Sequence, residues 1–438
     1  MKILVDISLG GIKQGLSGIP QDSRWLFKTL TELRDSNVSG LVYDTDFSSL
    51  TLKSLKGYFN QTQFFAGMFQ STDSQDWLLH KTKWKRVLYY IYSLYYKQTF
   101  DLVKAHEYLK PLIYRKYLAK GNIDYKIMMK DFYLYSASLG LLVARTQNNL
   151  KSPKIKTKGW NFAIFQDVRG FRVSKGTRKI IRYHDSIPIT DFDVMDDAKY
   201  GSILHYRELQ NCINDGSIFV TNSDTVNKKL IILFPELNGR TFTINYAISD
   251  KFYPEKKEIG FKYILHVATI EPRKNQINMI KAFKKFNLKY PEYKLVMVGQ
   301  KGWKYEEIEK EMMSLGKDLL YIDGLTPDEL RVFYSNAELF CFPSFNEGFG
   351  LPPIEAMACG CPVLSSDIDV HKEIQKDAAT YCDPYDPNDI AEKMIYIISN
   401  PEYAKSKVSL GLNLVKRYSN KRAKDNWFNL LTNLYGKK

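Results

Sequence analysis

The sequence predicts a two-domain α/β protein whose second half is built on a parallel sheet covered on both faces. Two observations lead there. The chain has 438 residues, more than one hydrophobic core ordinarily serves, so two domains are expected. From about residue 263 onward, short and continuously apolar segments alternate with helix-periodic ones. Strands buried on both faces, with the helices that cover them, read in this way. Hydrophobic residues make up 44% and charged residues 25%, a soluble globular balance.

In chain order, KILVDIS opens as a strand, LGGIKQGLSG is a glycine-rich turn, and IPQDSRWLFKTLTEL is a helix. Residues 40–180 are rich in aromatic and basic residues and show few clean periods. NFAIFQD (161–167) and KIIRYHD (179–185) are short buried strands ending at polar residues. SIFVTNSD (217–224) is another, followed by the short helix TVNKKLIILF. RTFTINYAI (240–248) is a strand running into a connection. SDKFYPEKKEIG (249–260), polar and proline-bearing, is a linker. The strands YILHVAT, KLVMVG, LLYIDG, ELFCFPS and CPVLSSD follow. Between them come the helices NQINMIKAFKKFNLKY, YEEIEKEMMSLG, TPDELRVFYSNA and PPIEAMACG. Thr326 is the expected N-cap of the third helix, with Pro327 at its first position. No internal repeat or low-complexity segment appears.

Charge and cysteine usage narrow the classes. The net charge is +15, and residues 81–130 hold twelve Lys or Arg against three acids, residues 151–182 ten against one. The expected partner is anionic: nucleic acid, a phosphate-rich substrate or anionic lipid. Five cysteines without a CxxC pair argue for a reducing compartment. Cys359 and Cys361 read as small packing residues. No cleavable leader is expected before ILVDISL, and no stretch reaches the ~18 apolar residues a spanning helix needs. The expected location is cytoplasmic, peripheral at most on the inner face of the plasma membrane.

The stretch SFNEGFGLPPIEAMACGCPVLSSD (344–367) concentrates the chemistry. Glu347 lies in the loop after a parallel strand, at the sheet edge where ligands bind. Gly348 and Gly350 let the backbone approach a ligand closely. The helix opening near Pro352 is expected to supply N–H groups suited to a diphosphate. Glu355, one turn in, can accept two hydrogen bonds from a ribose diol, and Glu347 can meet a sugar's hydroxyls beyond the phosphates. A helix dipole that favours acids would explain one glutamate but not the glycines.

This stretch resembles the E-x7-E signature of the retaining nucleotide-sugar glycosyltransferases grouped as family 4. HVATIEPRKNQINMIKAF, KLVMVGQKGW, YIDGLTPDELRVFYSNAELFCFPS and DIDVHKEIQKDAATYCDPYDPNDIAEKMIYIISNPE, which contains Glu373, are similar to that family's other segments. The resemblance is dense over 263–400 and patchy before it. It implies a GT-B architecture: two Rossmann-like domains facing across a cleft. The acceptor domain would span 1–248 and the nucleotide-sugar domain 249–420, with 421–438 a helix crossing back to the first domain.

By position, the resemblance makes Glu355 the ribose ligand and Glu347 the carboxylate on the donor sugar. Gly348, Phe349, Gly350 and Leu351 offer backbone around sugar and phosphate, and Gly299 joins the donor side. Lys274 neutralises the diphosphate. Many members carry an arginine where this chain has Thr269, and Arg273 is taken as the second cation. RYHDSIPI matches the family's His-Asp pair, which puts His184 beside the transferred sugar and Asp185 on the acceptor side. GGIKQGLSGI (10–19) is similar to the family's N-terminal glycine loop. Gly11 then approaches the donor phosphate and Gly18 the acceptor, although the usual GIGRY-like ending reads GIPQDSR here. The other five histidines read as structural or surface residues. The base is expected to be read by backbone around Tyr321–Leu325.

The implied activity is retaining, metal-independent transfer of a sugar to a glycan or polyprenyl-diphosphate-linked acceptor in surface polysaccharide synthesis. No cofactor is expected. The stretches TIEPRKN and GQKGW are similar to mannosyl- and rhamnosyl-type members, which favours mannose from GDP-mannose. Asp191-x-Asp193 resembles the metal-holding pair of the other large glycosyltransferase architecture, but reads as loop and N-cap acids. Other readings are a GT-B phosphorylase or epimerase, for which no phosphorylase lysine motif is evident, and a partner subunit with a dead site. A nucleic-acid binder would need a base-stacking module, and none is found, so no nucleic-acid partner is expected. KTKWKRVLYYIYSLYYK (81–97) could form a helix with Trp84, Leu88, Ile91 and Tyr95 on one side. It is either a contact with anionic membrane or a helix packed on the first domain.

Overall fold

The computed structural model describes residues 1–7, 18–43, 99–100, 103–104, 118, 130–135, 154–168, 171–191 and 198–436. Gly11, Asp193 and the segment 81–97 lie outside the described residues.

Two parallel sheets organise the molecule. The first runs Thr241–Thr243, Ile218–Thr221, Arg178–Tyr183, Phe162–Phe165, Lys2–Asp6, Asn37–Tyr43, Phe132–Tyr135 and Val103–Lys104, with only the last pair antiparallel. The second runs Leu319–Ile322, Tyr293–Val298, Lys262–Val267, Leu339–Phe342, Val363–Ser366 and Ala379–Cys382, parallel throughout. The apolar runs of the sequence become fully buried strands because helices cover both faces: Leu339–Phe342 and Val363–Ser366 are buried at every residue. In each sheet the strand order reverses beside the strand that comes first in the chain. That places a crevice at the carboxyl ends, where ligands are taken up in such sheets.

Local chemistry accounts for the element boundaries. Thr326 caps the helix Pro327–Asn336 in a full capping box with Glu329. Ser223 caps Asp224–Leu233. RTFTINYAI pairs over Thr241–Thr243 and then runs into the connection, as its sequence suggests. There Ile244, Tyr246 and Ile248 turn inward as buried residues of the interdomain connection. The C-terminal helix Asn420–Gly436 buries Trp427, Leu430 and Leu431 in the first domain's core beside Ile3, Val5 and Phe27. It adds a Trp25 Nε1–Asn420 Oδ1 hydrogen bond of 2.6 Å to the first helix, Gly18–Leu30. None of the five cysteines is in a disulfide, and all are buried. Among the described residues no helix is long and apolar enough to cross a membrane.

Candidate active site

Loops from both sheets meet around a cavity of about 450 Å³. The second domain contributes Thr269, Glu271, Arg273 and Lys274 after its first strand, and Gly299 and Gln300 after its second. Asp323–Leu325 follow its third strand, and 347–352 its fourth, with Glu355 behind them. The first domain contributes Ile19, Gln21, His184, Asp185 and Asn222. Of the sequence candidates among the described residues, the cavity gathers all but Gly18. Gly18 begins the helix Gly18–Leu30, and the wall starts one residue later, at Ile19.

Glu347 is the electrostatic centre. It is 9% exposed. Lys274 Nζ donates to its Oε1 at 2.5 Å and Arg273 Nη1 to its Oε2 at 3.0 Å. Burial alone would push this carboxyl up, but Lys274 and Arg273 outweigh it and hold the pKa at about 2. Arg273 also donates to Glu271 Oε1 at 2.8 Å and to the Asn346 carbonyl at 2.9 Å. Burial works against its charge, and Glu347 and Glu271 reverse that effect and keep the guanidinium firmly protonated. Lys274 goes the other way: burial and the neighbouring Arg273 lower its pKa, although Glu347 pulls it up. Two cations thus meet two carboxylates, Glu347 and Glu271. An incoming diphosphate would compete with those carboxylates for Lys274 and Arg273.

Glu355 is a different kind of acid. It is 7% exposed and lies in the helix Leu351–Ala358. Among the described residues one hydrogen bond reaches it, from the Tyr334 hydroxyl to Oε2 at 3.1 Å. Burial raises its pKa to about 7, with the Tyr334 bond working against the shift. A buried carboxylate with a single donor gains from further donors, such as the two hydroxyls of a ribose.

The helix start needs a correction. Pro352 and Pro353 occupy its second and third positions and carry no N–H. The amides it can turn toward an anion are therefore those of Gly350 and Leu351, fewer than a helix opening normally presents. Gly350 has a φ of 82°, which suits glycine, and a Cβ there would stand 3.3 Å from His371 Nε2. Gly299 is glycine for a harder reason: a Cβ would lie 1.9 Å from the Ala268 carbonyl oxygen.

His184 lines the cavity, but its ring is engaged. Nε2 lies 2.6 Å from the Gln166 carbonyl oxygen, which can only accept, so Nε2 carries the proton. Nδ1 then accepts from the Tyr246 hydroxyl at 2.5 Å. Burial lowers its pKa, and the imidazole is neutral near pH 7. Sequence reasoning missed what stands behind it. Arg182, fully buried, stacks over the Tyr246 ring at 5.0 Å and pairs with Asp22 at 3.0 Å. No local signal joins residues 22, 182 and 246; only packing does. Asp185 accepts from the Ile187 N–H at 3.1 Å, turning the loop at the cavity wall. Asp191 accepts from Asn346 Nδ2 at 2.6 Å. No cluster of metal-ligating side chains occurs among the described residues.

Comparison with known proteins agrees with this fold. Residues 249–409 match the family model described as "Glycosyl transferases group 1". The chain is 28% identical over 262 residues to "O-antigen chain mannosyltransferase B" of Escherichia coli, covering 55% of this chain and 67% of that protein. It is 28% identical over 241 residues to "O-antigen chain mannosyltransferase RfbU" of Salmonella typhimurium, covering 54% and 65%. The chain thus spans about two thirds of the length of these relatives. In fold it superposes on a sucrose-phosphate synthase from Thermosynechococcus elongatus with a TM-score of 0.67 at 15% identity, over 100% of both chains. The architecture is GT-B, and the protein is a glycosyltransferase carrying a group 1 domain.

Proposed function

We propose that this glycosyltransferase moves mannose from GDP-mannose to a glycan or lipid-linked glycan in surface polysaccharide synthesis. On this reading the transfer retains configuration and needs no metal or other cofactor. The observation that carries the reading is the meeting of Glu347, Lys274, Arg273 and Glu355 around one cavity at the carboxyl ends of the second sheet. The O-antigen mannosyltransferase relatives support the sugar and the acceptor class.

The chemistry follows from the charges. Cleavage of the bond between the sugar's anomeric carbon and the diphosphate oxygen builds negative charge on the leaving group. Lys274 and Arg273, with the amides of Gly350 and Leu351, stabilise that charge. This is the work a divalent ion does in other designs. Glu355 accepts from the ribose and fixes the nucleotide. Glu347, ionised at neutral pH, accepts from hydroxyls of the donor sugar. The acceptor hydroxyl attacks the face the diphosphate leaves, and its proton passes to the departing phosphate oxygen. His184, a neutral donor–acceptor locked by Gln166 and Tyr246, shapes the sugar side and takes no proton. Asp185 and Gly18 stand on the acceptor side, with Gly11 in the glycine loop and Gly299 beneath the donor.

Incubation with a panel of labelled nucleotide sugars, with and without EDTA, tests this. Turnover of GDP-mannose unaffected by EDTA is the expected result. Turnover of a UDP-sugar alone would reassign the donor. Activity lost on chelation and restored by Mn²⁺ would bring Asp191 and Asp193 back as metal ligands.

A further inference from the structure

The two residues flanking Glu347 are gripped by the opposite domain. Asn346 Nδ2 donates to Asp191 Oδ2 at 2.6 Å, and the Gly348 carbonyl accepts from Ser223 Oγ at 2.9 Å. From its own domain the loop receives Arg273, through the Asn346 carbonyl and Glu347 itself. The carboxylate residue is thus held from one side by its own domain and from the other by the first.

Ser223 has a second task. Its Oγ accepts from the Val226 N–H at 3.2 Å, which makes it the N-cap of the helix Asp224–Leu233. A helix leaves its first four N–H groups without partners inside the helix. Two of them are satisfied here across the domain boundary. Asp224 N–H donates to Glu373 Oε1 at 2.7 Å, and Thr225 N–H to Glu373 Oε2 at 2.6 Å. Thr225 Oγ1 donates to the same Oε2 at 2.5 Å. Glu373 belongs to the helix Asp369–Gln375 of the second domain. Its charge also meets the positive end of the capped helix. The second domain therefore completes a helix of the first.

We propose that the start of the helix Asp224–Leu233 is an interdomain clasp that aims Glu347: Glu373 holds the domains together there, while Ser223 and Asp191 fix the residues on either side of the carboxylate. The proposal rests on Glu347 acting on the donor sugar. Glu355, Lys274 and Arg273 come from the second domain, as does Glu347, and can hold a nucleotide with the cleft open. Closure adds the Asp191 and Ser223 bonds that fix the residues on either side of the carboxylate. Ser223, Asp191 and Glu373 are positioning residues, since each acts on the reaction through Glu347.

Glu373 and Asp191 are only partly buried, so Glu373→Ala and Asp191→Ala can be made in the full chain and checked for folding by thermal melting. Three readouts separate the outcomes: the radius of gyration from X-ray scattering, GDP and UDP affinity by calorimetry, and kcat with GDP-mannose. Glu373→Ala should enlarge the radius of gyration. Both variants should lose about ten- to a hundredfold in kcat, with nucleotide affinity kept near the parent's. Glu373→Gln, which retains one acceptor oxygen, should fall between parent and alanine. An unchanged radius of gyration in Glu373→Ala overturns the clasp. So does a kcat that stays at the parent value or falls in step with nucleotide affinity. If the parent itself fails to turn over GDP-mannose, the donor assignment is wrong, while the scattering result still decides the clasp.

Discussion

Glu355→Gln should weaken nucleotide binding and stabilise the protein at alkaline pH in one stroke. The carboxyl is buried, and burial lifts its pKa from 4.5 to about 7 against the pull of the Tyr334 hydrogen bond. A carboxyl whose folded pKa is raised binds its proton more tightly in the folded protein than in the unfolded chain. Its contribution to stability is greatest below about pH 4.5 and is lost as pH rises through about 7. Each tenfold in proton affinity is worth about 1.4 kcal/mol, so by pH 8 the ionised group costs folding about 3 kcal/mol. Glutamine keeps the shape without the charge and removes most of that cost. It also takes the charge out of the hydrogen bonds from a ribose. At about 1.5–3 kcal/mol for a bond to a charged group, affinity should fall about ten- to a hundredfold. Calorimetry with GDP at pH 8 reads the binding, and melting curves at pH 5 and pH 8 read the stability. The melting gain should be larger at pH 8 than at pH 5. Parent-like GDP affinity, or a gain no larger at pH 8, would refute the reasoning.

Gly348→Ala should abolish most transfer while sparing nucleotide binding. A Cβ there would stand 2.3 Å from the His184 carbonyl oxygen and must part the domains; a variant of parental activity would show that closure is not needed. His184→Ala should lower kcat far more than GDP affinity, since its ring faces the first domain's side of the cavity. Equal losses in steady-state kinetics and calorimetry would assign it to folding instead. The protein should sediment with phosphatidylglycerol vesicles at low salt and less at high salt, each basic residue contributing about 1 kcal/mol. A variant with Lys81, Lys83, Lys85 and Arg86 changed to Ser should stay in solution, and its sedimenting like the parent would remove 81–97 as the membrane contact.

Five of the second sheet's six strands and their loops were legible in the sequence because their determinants are local, while the edge strand Ala379–Cys382 was not picked out. Continuous apolar runs mark strands covered on both faces, Thr326 and Glu329 mark a helix start, and the glycines around Glu347 mark a close approach of backbone. The amino-acid order by itself determined which carboxylates and cations stand at the carboxyl ends of parallel strands. It did not determine what those groups feel. Glu347 and Glu355 are the same residue type eight positions apart, yet one is held near pKa 2 and the other near 7. Among the described residues two cations reach the first and a tyrosine the second, and those neighbours arrive from other strands and helices. The tertiary structure alone decided the trans-capping of Asp224 and Thr225 by Glu373, 149 and 148 residues away. It also decided the Asp22–Arg182–Tyr246 stack behind His184. Pairings across such separations leave no periodicity and no spacing in the chain. Burial and distance create them, and both exist only once the two domains have folded and met.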